Sequence, residues 1–202
     1  MDRRQIDRFF KILGAEFNKE AEIILTGAAA GHIMGSKRPS MDIDFAIKLK
    51  KAGKPGWEEL ESAIRKAIAE TGIQVNYAED IDKWGMITLL DYENNTKFYK
   101  KYGNLTLRVL SPAFWSIGKV TRFLDPDIKD MIQVFRKTKL SPIKLAKVWG
   151  RALRESPRSM VLTRFRRQVE SFFDSYGKRI WGSSFNSTKA IRQFHKSADI
   201  EK

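Results

Sequence analysis

Residues 23–49, IILTGAAAGHIMGSKRPSMDIDFAIKL, restrict the local topology more than any other stretch of the chain. Ile23, Ile24 and Leu25 are strand formers that run into Thr26-Gly27, where the chain must turn sharply. The small-residue segment 28–34 that follows reads as a short helix. A helix beginning there aims its free N–H groups at an anion. After a Gly-Ser-Lys-Arg-Pro loop the chain re-enters a strand at residues 42–47. Its alternation puts Asp42 and Asp44 on one face and Ile43, Phe45 and Ile47 on the other. Two same-face carboxylates beside a phosphate cradle suit a hard divalent cation, Mg2+ or Mn2+.

A strand, a Gly-small turn, a short helix, an Arg-x-Ser/Thr-x-Asp-x-Asp loop and a second strand together resemble the signature of the DNA polymerase β-like nucleotidyltransferase superfamily. Gly27-Ala28 stands where that family has Gly-Gly or Gly-Ser, Arg38-Pro39-Ser40-Met41 is the approach, and Asp42 and Asp44 are the acidic pair. The resemblance implies that Asp42 and Asp44 hold the divalent ion and act in catalysis, while Gly27, Ala28, Arg38 and Ser40 hold the nucleoside triphosphate. Ala28 departs from the pattern, removing either a side-chain contact to phosphate or the freedom of a second glycine. An Asp-x-Asp alone is usually the solvent face of an edge strand. The glycine turn and the upstream arginine are what favour a site here.

The chain of 202 residues is long enough to bury a full core, as one domain with an appendage or as two small ones. It has no cysteine, which excludes disulfides and thiolate metal sites. With no apolar run of membrane-spanning length and a charged start, Met1-Asp2-Arg3-Arg4, the sequence predicts no signal peptide, no membrane association and a cytoplasmic protein. The formal charge of +14 predicts a polyanionic partner. That charge is unevenly spread. Residues 1–110 carry 18 Lys+Arg against 16 Asp+Glu, whereas residues 111–202 carry 20 against 8.

Residues 2–17 place Ile6, Phe9, Phe10, Leu13 and Phe17 on one helical stripe. Residues 48–56 read as a solvated loop, residues 57–71 as a helix closed by Gly72, and residues 73–77 as a strand. On that strand the polar face offers Gln74 and Asn76, where many members of the resembled superfamily place a third carboxylate. Trp84-Gly85 reads as loop. Residues 86–92 and 105–110 read as two further strands, joined by a polar, lysine-rich connection over 93–104. The βαβ rhythm predicts an α/β (α+β) fold with a small mixed sheet flanked by helices.

Ser111-Pro112 opens a helix carrying Trp115, Lys119 and Phe123 on one stripe, with Arg122 nearby. A lysine so placed either extends to solvent or serves a site. Asp125 as cap and Pro126 as first residue start the next helix, which runs to about Lys137 and carries Asp127 and Asp130. The order Lys-x-x-Arg, turn, Asp-x-x-Asp is similar to the nucleotidyltransferase toxins of type IV-style abortive-infection systems. That resemblance implies catalytic roles for Lys119, Asp127 and Asp130 and a nucleotide contact for Arg122. Aspartates are favoured in a first helical turn regardless. The domain expectation is 1–138 as nucleotidyltransferase-like and 139–202 as a basic helical extension.

In that extension, residues 142–155 and 158–176 read as amphipathic helices, the second closed by Gly177. A linker at 182–184 and a last helix from Ser187 to about Lys196 follow. Arg164, Arg166 and Arg167, interleaved with aromatics, suggest nucleic acid, with RNA the first candidate. His32 and His195 stand alone in sequence, so zinc is unsupported. No Gly-x-Ser-x-Gly, Walker loop or dinucleotide fingerprint is present. Three functions fit: a Mg2+-dependent nucleotidyltransferase, acting on a hydroxyl acceptor such as RNA, with a cognate antitoxin-like protein as the partner the resemblance implies; an inactive relative that binds nucleic acid or a partner protein; or an antitoxin-like or scaffold role in which the basic helices bind a partner protein.

Overall fold

The computed structural model describes residues 1–50, 54–89 and 91–200. In chain order it contains α1 (Arg3–Glu16), β1 (Ala21–Leu25), α2 (Gly27–Ile33), β2 (Asp42–Leu49), α3 (Lys54–Thr71), β3 (Gln74–Ala78), β4 (Lys83–Trp84) and β5 (Ile87–Thr88). A 3-10 turn at Glu93–Asn95 leads to β6 (Thr96–Tyr102) and β7 (Leu105–Leu110). Then come α4 (Pro112–Arg122), α5 (Asp125–Thr138), α6 (Pro142–Arg154), α7 (Met160–Trp181) and α8 (Ser187–Ala198). The fold is mixed α/β, as expected from the sequence. Among the described residues no helix is long and apolar enough to cross a membrane.

The chain divides into two compact units, and the division is not the expected one at 138/139. The first holds Met1–Ile33, Arg38–Ile81 and Glu93–Leu110; the second holds Met34–Lys37, Asp82–Tyr92 and Ser111–Lys202. Helices α4 and α5 therefore belong with the basic helices rather than with the sheet.

The first unit is built on a five-stranded sheet in the order β3-β2-β1-β7-β6. β1 pairs antiparallel with β2 and parallel with β7, and β3 runs parallel to β2. Helix α1 buries Ile6, Phe9, Phe10 and Leu13, and the Phe10 ring meets Phe45 of β2 edge-on at 5.7 Å. Strand alternation then turns Asp42 and Asp44 to the face opposite that core. Strand β6 lies inside the segment expected to be a polar connection. It has no apolar alternation because it is the sheet's edge, and Lys97, Lys100 and Lys101 suit a strand that must not recruit another. Helix α3 begins at Lys54, earlier than expected; residues 51–53 of the expected loop lie outside the described residues.

In the second unit, β4 and β5 form a two-residue hairpin with Gly85 at φ +61°. The expected strand over 86–92 is thus only Ile87–Thr88, with Leu90 outside the described residues, and the expected Trp84-Gly85 loop is half strand. Helix α5 starts one position away from expectation: Leu124 is its cap and Asp125 its first residue. Helix α7 does not stop at Gly177. That glycine is interior, because a Cβ there would stand 2.0 Å from the Phe185 ring, and Gly182, at φ +93°, ends the helix. The extra turn brings Trp181 into the aromatic core, its indole N–H donating to Leu140 O at 2.7 Å and its ring stacking on Phe135 at 6.5 Å. Buried Trp149 meets Phe172 and Phe173 at 5.5 Å and donates to Ser116 Oγ at 3.0 Å.

Candidate active site

The expected carboxylate pair is formed. Asp42 and Asp44 alternate with buried Ile43 and Phe45 on β2 and are themselves partly exposed. They face β3 in register with Gln74 and Asn76. The Asn76 amide donates to both carboxylates, to Asp42 Oδ2 at 2.9 Å and to Asp44 Oδ1 at 3.0 Å. One amide nitrogen thus holds two like charges together. The sequence marks Asn76 only as a polar residue where an acid is expected; the register of β3 against β2 is what brings its amide to both carboxylates.

Gly27 turns the chain from β1 into α2 at φ +61°, and a Cβ there would fall 1.8 Å from Asp44 Oδ2. No other residue fits the turn while Asp44 keeps this position. The turn is tied to β2 by Thr26 N–H, which donates to Asp44 O at 2.9 Å. The Asp44 carboxylate therefore occupies the space in front of the turn that the sequence suggested for phosphate. A phosphate brought there would meet a like charge, which a divalent cation between the two would offset.

The other expected phosphate contacts differ in exposure. Arg38 is exposed, and Ala28 is half-buried on α2. Ser40 is buried, and its hydroxyl donates to Asp42 O at 2.5 Å while its carbonyl accepts from the Met1 ammonium at 2.8 Å. That hydroxyl braces the entry to β2 within the loop. Among the described residues no three His, Cys, Asp or Glu side chains converge on one cation position.

Of the remaining expected residues, all in the second unit, Lys119, Asp127 and Asp130 form a buried ion cluster with Arg122 at its exposed rim. Lys119 is 2% exposed, so it does not extend to solvent; its ammonium sits 2.8 Å from Asp130 Oδ2 and 3.0 Å from Asp127 Oδ1. Arg122 grips Asp127 with two hydrogen bonds, Nη2 to Oδ1 at 2.8 Å and Nε to Oδ2 at 3.0 Å. Ser36 Oγ donates to Asp130 Oδ1 at 2.6 Å. Each of the buried charges, Lys119, Asp127 and Asp130, thus has an opposite charge within 3.0 Å, as buried charge requires. Burial pushes the Asp127 carboxyl up, but hydrogen bonds from Arg122 and Lys119 outweigh it and hold the group below the usual carboxylate range.

The three arginines expected to bind nucleic acid are not one patch. Arg164 and Arg167 line a shallow cavity beside Phe123 and Met160. Arg166 is turned to Glu170, 2.8 Å away, whose carboxylate also meets His195 Nε2 at 2.6 Å. A separation of two residues on a helix is about 200°, which explains the split.

Compared with protein-family models, curated proteins and solved structures, the chain has no match.

Proposed function

We propose that the first unit is the catalytic core of a nucleotidyltransferase that moves a nucleotide from a nucleoside triphosphate to a hydroxyl acceptor. The observation that carries it is the Asp42–Asp44 pair, held at one point by a single amide donor and set against the Gly27 turn. Two carboxylate groups, completed by water and substrate phosphates, are the donor set that Mg2+ or Mn2+ favours over an all-protein cage. When bound, such an ion would neutralise phosphate charge and polarise the reacting phosphoryl group. Asp42 and Asp44 would hold it, and Asn76 fixes their spacing. Arg38, in the loop before β2, would add positive charge for the triphosphate. The acceptor oxygen attacks the α-phosphorus, forming the new P–O bond as the bond to pyrophosphate breaks. The hydroxyl proton passes to a carboxylate of the pair.

Lys119, Asp127 and Asp130 take a different role, bracing α4 against α5, because each charge is already paired and buried. The test is incubation of the whole protein with Mg2+, total RNA and each of the four α-labelled triphosphates in turn. Label entering the RNA or the protein, with pyrophosphate released, is the expected result. No transfer from any triphosphate, with Mg2+ or Mn2+, would overturn the proposal in favour of an inactive relative, for which Asn76 in place of a third acid would then be the reason.

A further inference from the structure

Five cationic side chains of the second unit, Lys37, Lys129, Arg136, Lys137 and Arg179, line one open cavity of about 520 Å3. All five are exposed, and none is in an ion pair with a carboxylate among the described residues. No carboxylate of the described residues lines the cavity either. The wall is held in place: Lys37 N–H donates to Gln133 Oε1 at 2.6 Å, pinning its segment to α5. Unneutralised like charges repel one another, so a cluster kept on a fixed wall is suited to an anionic occupant.

The spread of the cations identifies the anion's shape. Lys129, Arg136 and Lys137 are strung along α5, and eight residues of helix cover about 12 Å. A single phosphate needs donors converging within hydrogen-bond reach, whereas a strand presents a charge about every 3.4 Å. Arg179 on α7 adds a second wall. No aromatic side chain of the described residues lines the cavity, so they offer no platform for stacking bases. Among the described residues, the cavity shared by Arg164 and Arg167 has two cations beside exposed Met160.

We propose that the α5–α7 cavity binds the phosphodiester backbone of a nucleic-acid strand without reading its sequence. This concerns binding alone and stands whether or not the first unit transfers nucleotides. The measurement is fluorescence anisotropy of the whole protein with labelled single-stranded RNA and DNA of about 20 nucleotides, between about 50 and 200 mM salt. Replacing Lys129, Arg136 and Arg179 together by glutamine should weaken binding more than about tenfold. The log–log salt slope should become shallower by about 2, at roughly 0.7 per phosphate contact on a single strand. Arg164→Gln with Arg167→Gln should keep the parent slope. The tighter of RNA and DNA names the natural strand. If the triple variant does not fold by circular dichroism, Lys37→Gln with Arg179→Gln is read in the same way, with a slope shallower by about 1.4. A parent-like slope in a folded variant overturns the proposal. So does tripolyphosphate or polyglutamate competing as well as RNA, since these would assign the cavity to a compact anion or to an acidic protein.

Discussion

Gly27 shows how one residue can set a site. Its positive φ and the 1.8 Å that a Cβ would leave to Asp44 Oδ2 make it a requirement of both the turn and the carboxylate position. Gly27→Ala should cost about 1–3 kcal/mol in chemical denaturation, the scale of a strained left-handed residue, and should displace Asp44. Unchanged stability would mean that the turn tolerates a side chain. Asn76 offers the opposite experiment. Asn76→Asp adds a third carboxylate beside two others, so the protein without metal should lose stability through like-charge repulsion, while its apparent affinity for Mg2+ in calorimetry should rise. Tighter Mg2+ binding by the parent than by the variant would remove the pair from consideration as a metal site. Asp42, Asp44 and Gly27 were legible in the sequence because strand alternation and a turn glycine are local rules. The bridging by Asn76 was not, because pairing between strands is set by register.

At the scale of the element, α4 and α5 are joined by charge. Removing one partner from a buried ion cluster leaves the others uncompensated, so Lys119→Met should destabilise by about 3–5 kcal/mol. A lysine serving only phosphates would leave the denaturation midpoint unchanged, which makes the midpoint the deciding measurement. The depressed Asp127 carboxyl adds a pH dependence. A carboxylate with a lowered folded pKa contributes stability that is present above its unfolded value of about 3.9 and is lost as pH falls through the folded value. Acid unfolding below about pH 4 should therefore be less steep in Asp127→Asn. The stripe of Trp115, Lys119 and Phe123 was visible in the sequence, but whether the lysine was buried depended on partners eight and eleven residues away. Gly177 misled for a related reason. A glycine near the end of an apolar pattern looks like a cap until the ring of Phe185, contributed by a later turn, is known to need its space.

Across the whole molecule, the βαβ rhythm foretold the mixed fold and the residue count the uneven charge, but neither showed how the chain is divided. Local periodicity cannot show that Met34–Lys37 and Asp82–Tyr92 join the helical unit while β6 joins the sheet. It also pointed to Arg164, Arg166 and Arg167 by counting arginines. Among the described residues, a larger group of cations without an ion pair lines one cavity and comes from three separate segments, at Lys37, on α5 and on α7. The resulting division of labour gives the sheet unit the carboxylate pair and the helical unit the excess positive charge. Its most direct test is nucleotide transfer by Asp44→Asn, compared with the parent at matched Mg2+ and after circular dichroism shows both folded. Transfer should fall by about 100-fold or more, on the scale of losing one preorganised electrostatic contact to the reacting centre. Equal transfer by the two proteins would contradict the assignment of the site to Asp42 and Asp44.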